Sequence, residues 1–138
     1  MSTTAHMPKI NYRKEAVDST SPYSIYTCQL MVAGEAILTD PEGYILHMDA
    51  WSEGFARALA EKEGLLLTGD HWQVIYFIRS YYDERNVQAQ VRDMVMHFRV
   101  VWGPEKGNSR YLHDIFPMGG PQKQGNRMAG IRKTKGEH

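Results

Sequence analysis

Cys28 is the only cysteine in the 138 residues. No intramolecular disulfide can form, and thiol chemistry within this sequence has one residue to fall on. A cysteine becomes nucleophilic when a nearby cation or helix N-terminus favours its thiolate. The neighbours Thr27 and Gln29 carry no charge. The segment around them is rich in strand formers, so alternation can turn the thiol inward. The expectation is a small apolar filler rather than a reactive group. The histidines, at 6, 47, 71, 97, 113 and 138, contain no i, i+4 pair. Zinc needs three or four convergent ligands, so neither a metal nor a cofactor is expected. The sequence has no phosphate-binding glycine loop, no zinc-protease HExxH and no serine-nucleophile elbow.

The segment GPEKGNSRYLHDIFP, from Gly103 to Pro117, offers different chemistry. A glycine-proline stop is followed by a helix start at Asn108 or Ser109, with Arg110 in the first turn. A cation there opposes the helix dipole. Lys106 and Arg110 beside free backbone N–H groups could hold an anion. Alternatively, Arg110 pairs with Glu105 or Asp114 in a structural loop. The last 18 residues carry Lys123, Arg127, Arg132, Lys133 and Lys135 against Glu137 alone. Formal net charge is zero, so the preceding chain is mildly acidic. A basic end on an acidic body suggests an arm that seeks an anionic partner, or a solvated tail. The segment DERNVQAQVRDMV has a helix-turn-helix look. Its second helix, Val87 to Val101, sets Arg92 and Arg99 against Asp93, which neutralises few phosphates. Nucleic-acid binding would have to draw on the basic end.

These residues need elements to position them. Residues 1–22 are polar and read as a mostly disordered tail. Strands are predicted over SIYTCQLMV and EAILT, with a turn at Ala33-Gly34. Asp40-Pro41-Glu42-Gly43 is a turn, and Tyr44 to Met48 reads as a further short strand. Asp49 is placed as the cap of a helix bearing Trp51, Phe55, Ala58 and Leu59, ended by Gly64. A second helix begins at Thr68 or Asp70. Its apolar residues, Trp72 to Tyr82, cover nearly every face and predict a central position. A third carries Val91, Met94, Val95, Phe98, Val101 and Trp102 as a stripe. A short fourth buries Tyr111, Leu112, Ile115 and Phe116. One or two further turns are predicted after Pro121, before Gly130.

The resulting class is α+β and mostly α: a small N-terminal antiparallel hairpin or meander on about five helices. The expected division is a tail at 1–22, one domain at 23–130 and a flexible basic arm at 131–138. The N-terminus shows no apolar signal region, and no apolar run approaches a membrane span of roughly 18 residues. The expected location is the cytoplasm, with no membrane contact.

Three stretches resemble a known family. They are ILTDPEGYI with Trp51 after it, EGLLLTGDHWQVIYFIRSYYDE, and WGPEKGNSRYLHDIFPMGGPQKQ. Together they make the chain similar to the DsrC/TusE family from about Leu30 to His138. The resemblance implies a β-hairpin on a helical bundle with a C-terminal arm. It also implies sulfur traffic. DsrC proteins are partners of dissimilatory sulfite reductase, and TusE proteins accept persulfide sulfur from a TusBCD-type (DsrEFH-like) complex for tRNA thiolation. Both types use a penultimate arm cysteine, and DsrC proteins add another upstream. Glu137 and Asn126 stand at those positions here, and neither can form a persulfide.

The expectation from these departures is a monomeric binding or regulatory protein of sulfur metabolism, not an enzyme. It would touch its partner through Lys106, Arg110, Arg127, Arg132, Lys133 and Lys135. The alternatives are a sulfur carrier using Cys28 and a helix-turn-helix-like DNA-binding regulator.

Overall fold

The computed structural model describes Arg13–Lys14 and residues 26–133. The expected tail lies largely outside the described residues. Its residues Arg13–Lys14 form a two-residue strand, β1, that pairs antiparallel with the start of β2 (Tyr26–Val32). β2 pairs antiparallel with β3 (Glu35–Thr39), in a register that sets Cys28 opposite Thr39 and Val32 opposite Glu35. The two residues between them, Ala33 and Gly34, both have positive φ (51° and 84°). That is the two-residue turn whose twist matches the flanking strands.

The predicted strand over Tyr44–Met48 is absent. Asp40 captures the chain instead: its Oδ1 accepts from the backbone N–H groups of Glu42 and Tyr44, each at 2.9 Å. This side-chain capture closes the turn early, and only an isolated bridge between Thr39 and Ile45 continues the sheet. A short 3-10 turn, Met48–Ala50, follows. Asp49 lies within it and caps nothing further on. Ser52 is the real cap of α1 (Glu53–Glu63), accepting from Phe55 N at 3.2 Å. Gly64, at φ 73°, ends α1 in the left-handed conformation.

α2 (Gly69–Arg85) is centred on a face of Val74, Ile75 and Ile78, all fully buried. Its other apolar residues are half-buried or exposed, unlike the all-round burial predicted. For the tyrosines a polar tip explains this: the Tyr76 hydroxyl, for example, donates to Glu53 at the surface. α3 (Val91–Trp102) buries Met94 and Phe98 and leaves Met96 and Val100 exposed. Asn108 then organises α4 (Ser109–Ile115). Its Oδ1 accepts from Tyr111 N, while its Nδ2 donates to the carbonyls of Pro104 and Glu105. Gly107 makes this loop possible, since a Cβ there would sit 2.3 Å from the backbone of Phe98 and Arg99.

α5 (Gly120–Met128) exceeds the one or two turns expected. Seven of its nine residues are buried, a fraction reached by no other helix of the described chain. It packs against α1, α2 and α4. The core therefore runs from Leu30 and Val32 of β2, through Phe55, Leu59, Ile75 and Ile78, to Phe98, Phe116 and Met128. No helix among the described residues is long and apolar enough to cross a membrane.

Candidate functional site

The chain leaves α5 through a junction held by residues far away in sequence. Trp51 donates its indole N–H to the Met128 carbonyl at 2.8 Å. Arg79 donates from Nη1 to the Ala129 carbonyl at 2.8 Å, and its Cζ lies over the Trp51 ring, 3.8 Å from the centroid. Gly130 has φ 71°, and a Cβ there would come within 2.2 Å of Trp51 Cδ1. Only glycine satisfies both conditions. Ile131 N donates back to Asn126 O at 3.0 Å, and the Ile131 side chain is buried. Further on, Gln88 Nε2 holds the Arg132 carbonyl at 3.2 Å, and Lys133 pairs with Glu42 at 2.8 Å.

A buried ion pair fixes the helix itself. Arg127 meets Glu63 through two parallel hydrogen bonds, Nε to Oε2 and Nη2 to Oε1, both at 3.0 Å. Both side chains are about nine-tenths buried. Nη2 also donates to the Met118 carbonyl at 2.9 Å, and Gln124 Nε2 donates to Glu63 Oε1 at 2.8 Å. Burial alone would lower the Arg127 guanidinium, but the hydrogen bonds and charge of Glu63 outweigh it and raise it above its ordinary value. Such a saturated fork is the geometry that makes a buried ion pair tolerable.

The other residues singled out in the sequence fall at separate places. Cys28 is 1% exposed, in the middle of β2. Lys106 is no open anion ligand. Its Nζ lies 2.8 Å from Asp70 Oδ2, and Asp70 also accepts from the Tyr111 hydroxyl. The Lys106 and Tyr111 hydrogen bonds hold the Asp70 carboxyl below its ordinary value. Arg110 is exposed, and among the described residues it pairs with neither Glu105 nor Asp114. Arg127 is not an arm residue but a buried member of α5. Arg132 is exposed. Lys135 and Glu137 lie outside the described residues. Asn126 is buried in α5 and donates from Nδ2 to the Gln122 carbonyl, while its Oδ1 has no partner among the described residues.

The sheet edge, the pinned junction and the stretch that follows it match known proteins. A family model described as "DsrC like protein" matches residues 31–136. The chain belongs to the DsrC-like family. It is 46% identical over 100 residues to Sulfurtransferase TusE of Pectobacterium atrosepticum, an alignment spanning 72% of this chain and 91% of that protein. It is 44% identical over 104 residues to the Sulfurtransferase TusE homolog of Haemophilus influenzae, spanning 75% and 94%. The NMR structure of DsrC from Allochromatium vinosum superposes with a TM-score of 0.71 at 38% identity, covering 81% of this chain and 99% of that one. The oxidized gamma-subunit of the dissimilatory sulfite reductase from Archaeoglobus fulgidus gives 0.73 at 31%, covering 80% and 99%.

These relatives place the chain among the DsrC/TusE sulfur-relay proteins. They also overturn the expectation of a protein that is not an enzyme, because the curated relatives are named for transferring sulfur, a group-transfer reaction. The helix-turn-helix reading finds no support either. The exposed face of α3 sets Met96 and Val100 beside Arg92 and Arg99, so thioether and methyl groups occupy places that phosphate binding would give to cations.

Sequence reasoning missed Arg79, Glu63 and the polar role of Trp51. Arg79 had a signal: it is the only cation between Trp72 and Tyr82, and a lone charge in an apolar run needs a partner. Glu63 had none, since an acid before a helix-ending glycine looks solvated.

Proposed function

We propose that this protein works in sulfur transfer as a relay component that docks on a larger sulfur-metabolising complex. The docking surface is the pinned junction after α5 and the residues that continue it. One observation carries this reading: Trp51, Arg79, Gln88 and Glu42 all hold the stretch from Met128 to Lys133, so that stretch sits at a defined place on the body. A defined place limits the ordering cost of binding. The relative titled a gamma-subunit of a sulfite reductase supports a partner of that kind. The exposed cations Arg132 and Lys133 are the contacts nearest the exit; Lys106 lies on the loop before α4 and Arg110 in its first turn. A reducing compartment such as the cytoplasm suits a sequence with a single cysteine.

A second reading concerns where the sulfur rides, and the names of the curated relatives favour it. Within this sequence a persulfide can form only on Cys28. That thiol is buried, so loading requires the cover over β2 to open. Intact-protein mass after exposure to a persulfide donor, for the parent and for Cys28→Ser, separates the two readings. Gain of one sulfur by the parent alone makes Cys28 the carrier. No gain in either removes Cys28 from the relay and leaves docking. Docking itself is tested by capture of a purified sulfite reductase or TusBCD-type complex. Reversing Arg132 and Lys133 to Glu should abolish capture, and unchanged capture would sink the docking reading.

A further inference from the structure

We infer that the cavity between the Asp40–Gly43 turn, the end of α1 and α5 binds a small oxyanion, either free or as the head group of a small organic molecule. The site shares Lys133 and Glu42 with the proposed docking surface, but anion binding there does not depend on sulfur transfer. The cavity measures about 300 Å³. Three cations line it: Lys123 and Arg127 from α5, and Lys133 from the stretch after it. Lys123 and Arg127 are spaced i, i+4, so both project from one face of the helix.

Two carboxylates share the walls, and both are already engaged. Glu63 is locked in the fork with Arg127, and Glu42 is paired with Lys133. Lys123 is exposed and has no carboxylate within ion-pair distance among the described residues. The cavity therefore carries one positive charge in excess. The positive field converges on its rim. The Glu42 carboxyl is held below its ordinary value first by the Lys133 hydrogen bond, and further by the charges of Lys133, Arg127 and Lys123.

The two ion pairs differ in how readily they yield. The Arg127–Glu63 fork is buried and saturated with hydrogen bonds, so it forms a fixed floor. The Lys133 and Glu42 side chains are 39% and 59% exposed, and an exposed pair of this kind is weak. An entering anion can take Lys133 from Glu42 and gain Lys123 as well. It exchanges one weak contact for two charge-assisted ones. The largely buried Tyr44 ring lines the cavity, 5.8 Å from the Arg127 guanidinium and 5.9 Å from Lys133 Nζ.

Two surface variants give the site opposite signs. In a 1H–15N titration with inorganic phosphate at constant ionic strength, amides of α5 and the Asp40–Gly43 turn should shift saturably. Lys123→Gln should weaken binding about tenfold, the loss of one charge-assisted hydrogen bond. Glu42→Gln should tighten it, because it frees Lys133 and removes the competing carboxylate. Both positions are exposed, and the dispersion of each variant's spectrum confirms that it has folded. Phenyl phosphate serves as the second probe. Tighter binding than phosphate assigns an organic head group, and equal binding assigns the free ion. Non-saturating shifts in the parent, an unchanged Kd in Lys123→Gln, or weaker binding in Glu42→Gln would each overturn the proposal.

Discussion

Two ion pairs stand at opposite ends of one short stretch, and they hold it in different ways. At Arg127 the pair with Glu63 is buried, forked and joined by Gln124 and the Met118 carbonyl. At Lys133 the pair with Glu42 is a single exposed contact. Between them the restraint steps down from the Trp51 and Arg79 hydrogen bonds to the exposed contact of Gln88. The first pair sets where α5 sits. The second can open at little free-energy cost. A relay protein that docks needs both properties, a fixed root and a rim that yields.

The largest expected effect comes from the buried end. Glu63→Ala leaves the Arg127 guanidinium buried without its carboxylate and strips Gln124 of an acceptor. Breaking one side of a buried pair costs about 3–5 kcal/mol, which urea unfolding would read directly. A loss below about 1 kcal/mol, the range of an exposed pair, would erase the distinction between the two ends.

The junction should be next. Gly130→Ala forces a Cβ into Trp51 and a left-handed φ onto alanine. The overpacking alone costs about 1–3 kcal/mol, and the backbone strain adds to it. Trp51→Phe should cost less, about 1–2 kcal/mol. It removes the hydrogen bond to the Met128 carbonyl and weakens the stack under Arg79 while keeping a ring. Its sharper readout is limited proteolysis. Cleavage after Ile131 should accelerate more than global unfolding does. Equal acceleration of both would mean that Trp51 stabilises the whole fold rather than the junction.

Much of the scaffold was legible in the sequence for local reasons. Gly64 after α1, Gly103-Pro104 after α3 and the Asp40-Pro41-Glu42-Gly43 turn are instructions that a few adjacent residues carry alone. The Tyr44–Met48 strand failed because side-chain capture by Asp40 competes with strand pairing, and propensity does not weigh that contest. α5 was underestimated because its sequence, GPQKQGNRM, is polar and glycine-rich. It is buried for reasons lying elsewhere: Glu63 neutralises Arg127, Ile78 packs where a side chain at Gly125 would collide, and Trp51 receives Gly130. Contacts spanning 50 to 77 residues leave no periodic trace. The cationic residues of the site were legible as charges, but not their division into a buried anchor and an exposed rim.

The smallest effect on stability, and the most specific one, belongs to the exposed end. The Glu42 carboxyl lies below its ordinary value of 4.5, mainly through the Lys133 hydrogen bond. A depressed carboxyl contributes stability that is complete above its ordinary value and is lost as pH falls through the lowered one. The Lys133 ammonium lies above its ordinary value of 10.5, again mainly through Glu42, so its share is lost only as pH rises beyond that value. The link should therefore be intact across neutral pH and open in acid. In Lys133→Gln the Glu42 side chain, followed by NMR through an acid titration, should move back toward 4.5. What then remains is partial burial, which raises it, against the more distant charges of Arg127 and Lys123, which lower it. The thermal midpoint at pH 7 should hardly change, because an exposed pair is a contact rather than an anchor. An unshifted Glu42 titration would mean that Lys133 does not close the rim. A large fall in the midpoint would mean that the exposed end holds the fold as firmly as the buried one, and the contrast between the two pairs would collapse.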